Sequence, residues 1–552
     1  MKGCKVIASA LAALLALPLG AQESAALRLA MYLGGAATEE EADPSLVERL
    51  ESRLGRPVRI NSKRLDPELL SPYQRASIAD YRRRSGDILS WEELSLVDGF
   101  GTEAVKALRP FLSLESSAAP GMADTLSRPA TREVLLRTTL KNTGVKYREN
   151  GEWYRLGVSV RERDGTGYFE ATAGRFRAVA GDYNLRFGQG LALWSGFSME
   201  SLASPDAFIR RQGGLSPAWS YSPGGLWRGV AAAWEGSGMN VSAFSDFREG
   251  KGGARAEVFT RHFQVGGLFL TGRQQPLRIS ADARGNWRGL DSALELAFQS
   301  GGGFAGKGAL SFRPLEQFRL FFQARAIPSA YSGKKNGEYA LAAGVRHTSS
   351  AWMLLAGKSG FGSSVPLFSA SLTADAALLP RPDLDEPFRR QLRFWADAAL
   401  QPTPLLSLDF RLNGRYRSYE AGRTGIRSDL SLASGPWNAK LRAEAAFCGS
   451  LPGLLGYLEA GYKDARAALW LRFTAFRIDD WAARIYCYER DAPGTFSVPA
   501  YNGRGLAASL YANLKWMWGP VRFTASLRAA CKWRKDREAE PALGVQLQAR
   551  IF

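Results

Sequence analysis

The sequence predicts a mainly β fold: a large antiparallel transmembrane β-barrel of about 18 to 20 strands, preceded by a small all-α domain. Three observations lead to this prediction. The chain begins with an export signal, its long body consists of short segments that alternate between apolar and polar residues, and no long apolar run follows Leu19. Because a membrane helix needs about 20 apolar residues, any insertion into a bilayer must use strands.

The first 21 residues have the pattern of a secretory signal peptide. Lys2 and Lys5 give a positive start, an apolar stretch ends at Leu19, and small residues precede Gln22. We therefore assign residues 1–21 to the signal and residues 22–43 to a linker. Export combined with a barrel places the protein in the outer membrane of a Gram-negative bacterium.

Residues 132–552 carry the barrel pattern. Between Leu406 and Asn413 every second residue is apolar and the others are polar, as in a strand with lipid on one side and water on the other. A strand pair with one short turn and one long loop uses about 40 residues, which gives the expected strand number. The segment from Phe187 to Leu191 contains two glycines, and we interpret it as a β-bulge rather than a loop folded into the lumen.

Composition argues against an enzyme. The chain has only His262 and His347, and its three cysteines beyond the signal, Cys448, Cys487 and Cys531, lack a C-x-x-C spacing. The chain therefore has almost none of the side chains that a histidine-based catalytic triad or a metal cluster requires. We expect no catalytic residues, no metal site and no cofactor.

The formal net charge of +19 lies almost entirely in the barrel, since residues 44–115 hold 12 basic and 11 acidic side chains. Such a field favours anionic partners, which include lipopolysaccharide phosphates, nucleic acid and small anions. Inward arginines such as Arg325, Arg411 and Arg472 could line an anion pathway or pair with inward carboxylates. The sequence leaves both alternatives open.

Residues 44–115 predict a small helical domain, followed by a linker at 116–131. Asp43 and Pro44 start a helix in which Leu46, Leu50 and Leu54 share one face, and a later helix runs from about Arg75 to Ser85. A capping box at Ser90–Glu93 opens another helix. We expect this domain to lie in the periplasm.

The hairpin Val97-Asp98-Gly99-Phe100-Gly101-Thr102 resembles the helix-hairpin-helix motif. In that motif the glycines allow a tight turn, and the amides at the next helix start bind a phosphate. With Thr102 as the helix cap, the resemblance implies a phosphate site. The candidate DNA-binding residues are Gly99, Gly101, Thr102, Lys106, Arg82, Arg83 and Arg84.

The wider module resembles the tandem helix-hairpin-helix domain of the competence-protein (ComEA-like) type, a family that binds duplex DNA without sequence preference. Its first hairpin, Leu70 to Gln74, departs from the family pattern because it has no glycine. Several barrel segments resemble outer-membrane barrels that carry an amino-terminal helix-hairpin-helix domain. These segments include Gly181-Asp182-Tyr183, Phe187-Gly188-Gln189-Gly190-Leu191 and Arg484-Ile485-Tyr486-Cys487-Tyr488-Glu489.

Two hypotheses on function follow. In the first, the periplasmic module binds the phosphate backbone of DNA, in DNA uptake or retention. In the alternative, the protein is a structural or transport barrel whose module docks a protein or gates the pore. The expected partners are double-stranded DNA, outer-membrane lipid and lipopolysaccharide, and a periplasmic protein.

Overall fold

The structure is a computed structural model. It describes residues 25–34, 46–47, 50, 57–62, 65, 69–115, 130–195, 213–221 and 224–551, the last range with short gaps at 237, 261, 288, 316, 333–336, 356–362, 381–387, 404, 450, 465, 494, 496 and 536. The signal peptide and most of the linker at 116–131 lie outside the described residues.

Alternating residues and glycine-rich turns produce a long series of strands. They are β1 (Val58–Arg59), β2 (Leu112–Ser113), β3 (Thr131–Thr139), β4 (Thr143–Asn150), β5 (Tyr154–Arg161), β6 (Asp164–Ala173), β7 (Phe176–Arg186), β8 (Gly214–Pro217), β9 (Trp227–Glu235), β10 (Met239–Asp246), β11 (Lys251–Phe259), β12 (Phe263–Gly272), β13 (Arg278–Trp287), β14 (Leu290–Gln299), β15 (Gly303–Leu315), β16 (Phe318–Ile327), β17 (Glu338–Leu355), β18 (Ser363–Pro380), β19 (Phe388–Thr403), β20 (Leu406–Arg417), β21 (Arg423–Ser434), β22 (Trp437–Cys448), β23 (Leu451–Lys463), β24 (Ala467–Ile478), β25 (Ile485–Tyr486), β26 (Ala500–Tyr501), β27 (Gly503–Trp518), β28 (Val521–Arg534) and β29 (Arg537–Ile551).

Within the described residues, 24 of these strands close into one antiparallel barrel. They follow chain order from β3 to β7, β9 to β24 and β27 to β29, while short β8 pairs with the end of β7. The barrel closes where β29 pairs with β3, and Arg550 and Gln548 of β29 both donate hydrogen bonds to Glu133 of β3. The predicted fold class is confirmed.

The strand number corrects the expectation of about 18 to 20. That estimate gave each strand pair one long loop. Most connections are instead short at both ends, as between Thr139 and Thr143 at one end and between Asn150 and Tyr154 at the other. Because the connections are shorter than the estimate assumed, more residues are available for strands, and the barrel has more strands than expected.

Side-chain burial is reversed relative to a water-soluble protein. On β12, Phe263, Val265 and Phe269 point outwards and are 57%, 55% and 45% exposed, whereas Gln264 between them is buried. On β14 the inward-facing Glu295 is buried as well. An apolar outer surface around a polar lumen is the arrangement that a closed barrel needs in lipid.

The barrel has two distinct ends. We call the end at which β3 begins and β29 finishes the terminal end; it also carries the turns after Glu235 and Phe259. The opposite end, the far end, carries the three longest connections, which lie after β7, β16 and β24; a connection of seven residues follows β17 at the terminal end and another follows β18 at the far end. The short α5 (Ser329–Ser332) lies in the connection after β16.

The amino-terminal helices form one small unit, the helical module. It contains α1 (Ala25–Gly34), α2 (Pro72–Ser85), α3 (Trp91–Leu96), α4 (Thr102–Leu108) and a 3-10 turn at Arg109–Phe111, with β1 and β2 paired in parallel. None of the described helices is long and apolar enough to cross a membrane.

The module shares a single apolar core. Leu27 of α1 is packed with Leu50, Ile60, Ile78 and Phe111, all of them buried. α1 therefore corrects the assignment of residues 25–34 to a linker, because its apolar face completes this core. The predicted helical face at Leu46 and Leu50 is confirmed, and Leu54 lies outside the described residues.

Local signals define the module's helices. Ser90 and Glu93 form the predicted capping box of α3, and Ser71 with Gln74 forms a second one, so that α2 begins at Pro72 rather than near Arg75. The side chain of buried Asn61 links the segment after β1 to the segment before α3. It accepts a hydrogen bond from the Ile88 amide at 2.9 Å and donates one to the Ile88 carbonyl at 2.9 Å.

Candidate functional site in the barrel lumen

The glycine hairpin between α3 and α4 packs against α2. Gly99 and Gly101 have φ angles of +82° and +96°, which favour glycine. The carbonyl of Gly99 accepts from the Gln74 side chain at 2.7 Å, and a Cβ on Gly99 would lie 2.7 Å from the Tyr73 ring. The first glycine of the hairpin thus has a packing role.

The expected cap at Thr102 is corrected. Gly101 is the N-cap residue of α4 and supplies no side-chain hydrogen bond, while Thr102 is already helical. α4 is only seven residues long, and Lys106 lies exposed in its last turn. The backbone at Gly101 is open, with no atom within 4 Å of a Cβ built there.

The three candidate arginines on α2 have acidic neighbours within the module. Arg82 pairs with Asp87 at 3.0 Å and also donates to the carbonyl of Ser62. Arg83 and Arg84 share Asp80, at 2.8 and 2.6 Å. These ion pairs reduce the positive charge that the module presents to a phosphate backbone.

A fourth arginine of α2 contacts the barrel. Arg75 pairs with Glu235, which lies on the lumen side at the terminal end of β9, and its Nη2 is 3.2 Å from Oε1. Arg177 of β7 donates to the same carboxylate at 3.0 Å. Both members of the first pair are largely buried, with exposures of 15% and 25%. Glu235 therefore joins the helical module to two strands of the wall.

An aromatic contact lies beside this ion pair. The Tyr73 ring of α2 is 6.5 Å from that of Phe259, which faces the lumen on β11. Burial of Tyr73 and the nearby Asp98 raise the pKa of its phenol to about 12. A cavity of about 460 Å³ remains between α2 and the turn residues Gly238 and Thr260.

The module is also contacted from the other side of the lumen. Tyr488 belongs to the connection between β24 and β27, and its side chain packs against the module's apolar core. In the closed strand order, β24 and β27 lie eight to eleven strands from β9 and β11 by the shorter way round. The described helices are thus docked in the terminal mouth of the barrel and touch both sides.

Residues 187–195 form a first inward segment, in contrast to the predicted β-bulge. The Glu295 carboxylate of β14 accepts hydrogen bonds from the amides of Gln189, Leu191 and Ala192 at 2.6, 3.0 and 3.2 Å. Lys307 of β15 donates to the carbonyl of Gln189 at 3.3 Å. A loop that follows β7 and is held by β14 and β15, six and seven strands further round the wall, narrows the lumen.

Residues 479–502 form a second inward segment. Glu459 of β23 is buried and accepts from Arg472 of β24 at 2.5 Å and from Arg490 of the segment at 3.0 Å. Glu489 of the segment accepts from Tyr501 and from Arg528 of β28, at 2.5 and 2.6 Å. Arg472 also donates to the carbonyl of Tyr488 at 2.6 Å, so the segment is fixed to β23, β24 and β28.

For the inward arginines named from the sequence, the pairing alternative holds. Arg325 pairs with Glu338 at 3.3 Å, Arg411 with Asp397 at 2.6 Å, and Arg472 with Glu459. In the part of the chain that the structure describes, no group of three or more metal-binding side chains is present.

Sequence reasoning missed Arg75, Glu235 and Glu295. The alternation of β14 places Glu295 on the inward face, a signal that was available. No sequence signal connects it with residues 189–192, because the contact spans more than 100 positions. The same holds for Arg75 and Glu235, which are 160 positions apart.

Fold and site define a class: a transmembrane β-barrel of the outer-membrane type, with helices in one mouth and two segments inside. No family model and no curated protein matches the chain. Solved structures that resemble it include Pseudomonas aeruginosa OpdK with vanillate, at 11% identity and a TM-score of 0.30, covering 77% of this chain and 98% of that one. Pseudomonas aeruginosa OccK5 (OpdH) gives 9% identity, a TM-score of 0.30 and coverages of 76% and 96%. Such values transfer no substrate to this chain.

Proposed function

We propose that this protein is a transport barrel of the outer membrane whose helical module gates the lumen. The observation that carries the proposal is the ion pair between Arg75 of α2 and lumen-facing Glu235. This pair joins the helical module to the wall at the terminal end of the barrel, and a module held at that mouth supports a role as a gate.

The width of the barrel supports this proposal. With strands about 4.8 Å apart and tilted by about 40°, a round barrel of this strand number is roughly 45 Å wide. Side chains fill only much smaller barrels, and wide barrels contain either an aqueous channel or a plug. The helices and inward segments of this protein fit the role of a plug.

The orientation follows from the connections. Bacterial outer-membrane barrels have short turns on the periplasmic side and longer loops outside. The terminal end has the short turns, so we assign it to the periplasm, and the helical module then gates from within. A periplasmic protein that binds the module could pull it from the mouth.

The docking contacts suit reversible closure. Among the described residues they include the Arg75–Glu235 pair, the Tyr73–Phe259 contact and the packing of Tyr488, while the module has an apolar core of its own. A charged hydrogen bond contributes about 1.5–3 kcal/mol and an aromatic pair about 0.5–1.5 kcal/mol. Such an interface holds the module closed and still allows opening by a partner.

Conductance of the purified full-length protein in planar bilayers tests the gate. We expect low conductance for the wild type and a large increase for Arg75→Glu, because the new carboxylate repels Glu235. Arg83→Glu is the matched control, since it reverses a charge on the same helix at a position 65% exposed. Equal conductance of the wild type and both variants would contradict gating.

The DNA-binding hypothesis has less support. Its arginines Arg82, Arg83 and Arg84 have acidic partners, and Gly99 is engaged by α2. Duplex-DNA binding by the same purified protein across a salt series tests it. Binding that falls with salt and is abolished when the three arginines are replaced by Ala would favour DNA handling over gating.

A further inference from the structure

The lumen wall formed by β19, β20 and β21 carries a row of arginines. In the strand register Arg393 lies opposite Arg415, and Arg415 lies opposite Arg423. All three share the inward face, because their neighbours Leu412 and Ile426 are exposed on the outer surface. Like charges that face each other across strands are destabilising, so the row requires a counter-charge.

The described residues supply only part of that counter-charge. Arg393 is held by Asp375 through two hydrogen bonds of 2.9 and 3.1 Å. Arg423 donates to the backbone carbonyls of Ala482 and Arg484 in the second inward segment. The exposed Arg415 makes no hydrogen bond or ion pair with any residue that the structure describes.

The next positions towards the far end add more positive charge. Arg389 and Arg417 share one carboxylate, that of Glu420, at 2.7 and 3.3 Å. The Nε atom of Arg389 is buried and has no hydrogen-bond partner among the described residues. Among the residues that the structure describes, these five guanidinium groups face two carboxylates, those of Asp375 and Glu420, which leaves a net charge of +3 within that set.

Other arginines on the same wall behave differently. Arg411 pairs with Asp397, Arg427 with Glu444 and Arg442 with Asp429, at 2.6, 3.0 and 2.6 Å. Neutralised pairs are therefore the rule on these strands. The row formed by Arg393, Arg415 and Arg423 departs from this rule, because Arg415 has no ion pair with any residue that the structure describes.

We propose that Arg415 and Arg423 form a binding site for a soluble oxyanion, a phosphate or carboxylate group that enters the lumen. The planar guanidinium fork matches both groups, and basic side chains line anion-selective pores in general. Lipid headgroups are excluded as the source because the site faces the lumen. The proposed oxyanion site does not rest on the proposed gating function, because phosphate binding is measured directly and gating is measured by conductance.

Calorimetric titration of the purified full-length protein with inorganic phosphate tests the site. We expect saturable binding by the wild type and a loss of about tenfold or more in affinity for Arg415→Gln and for Arg423→Gln. Arg390→Gln is the matched control: it removes the same charge from β19, but on the exposed outer face. Its affinity should stay within about twofold of the wild type.

Arg415→Lys separates charge from geometry. It retains the positive charge and loses the bidentate fork, so an affinity between those of the wild type and Arg415→Gln supports a built site. Equal losses in Arg415→Gln and Arg390→Gln would overturn the proposal, because net charge alone would then explain binding. Absence of phosphate binding by the wild type would also overturn it.

Discussion

Replacement of Glu295 by Gln should release the first inward segment. The carboxylate accepts three backbone amides, of Gln189, Leu191 and Ala192, and is 1% exposed. The approach is close, since a Cβ on Gly188 would lie 2.7 Å from Oε2 of Glu295. A Gln side chain keeps one acceptor oxygen, lacks the charge and brings a donor towards amides that are donors themselves.

The magnitude follows from these contacts. A hydrogen bond to a charged group contributes about 1.5–3 kcal/mol, and the variant keeps at most part of this as neutral bonds. We expect the free energy of opening of the segment to fall by about 2–4 kcal/mol, which is about a 30- to 700-fold loss of protection against amide exchange.

Amide hydrogen exchange with mass spectrometry measures this loss. The peptide that contains residues 187–195 should exchange faster in Glu295→Gln, while peptides from β27 to β29 should not change. Glu338→Gln is the control, because it removes a carboxylate that pairs with Arg325 on another part of the wall. Protection of the segment within threefold of the wild type would refute the reasoning.

Three further predictions concern the helical module. Gly99→Val should undock α2 and raise conductance, because its Cβ would lie 2.7 Å from the Tyr73 ring. Gly101→Val should raise conductance less, because no atom lies within 4 Å of a Cβ at that position. A larger effect of Gly101→Val than of Gly99→Val would contradict the packing role of Gly99. Asn61→Ala should lower the free energy of unfolding of the module by about 2–4 kcal/mol, because it leaves the backbone N–H and C=O groups of Ile88 unpaired. Thermal unfolding followed by circular dichroism measures this change. A loss below about 0.5 kcal/mol, the size expected of a surface substitution, would contradict the prediction. Because the pKa of Tyr73 is raised from 10.0 to about 12, its contribution to docking should be complete below pH 10 and lost as the pH rises towards 12; Tyr73→Phe should remove this dependence from the conductance.

Local patterns predicted the elements of this fold well. The alternation from Leu406 to Asn413 indicated a strand with one lipid face, and Ser90 with Glu93 indicated a helix start; both are features of a few adjacent residues. The strand number was too low because loop lengths vary freely without changing the strand pattern.

The candidate site was much harder to predict. The pairs Arg75–Glu235 and Glu295–Gln189 join residues more than 100 positions apart, and no local pattern specifies which distant segment a side chain meets. The arginine row depends on strand register, since Arg393, Arg415 and Arg423 become neighbours only when three strands are aligned.

The pairing of β29 with β3 has a consequence for biogenesis. Gln548 and Arg550 reach Glu133 across 415 and 417 positions of chain, whereas neighbouring strands elsewhere are joined by turns or by loops of at most about 40 residues. Hairpins form from local contacts, but this seam has the highest contact order of the wall and should be sealed last. Until then two strand edges with unpaired backbone groups stay open to other chains. A substitution that disrupts β29 would therefore impair assembly of the whole barrel, because it leaves two strand edges unpaired. Its effect would be larger than the loss of one strand from the wall.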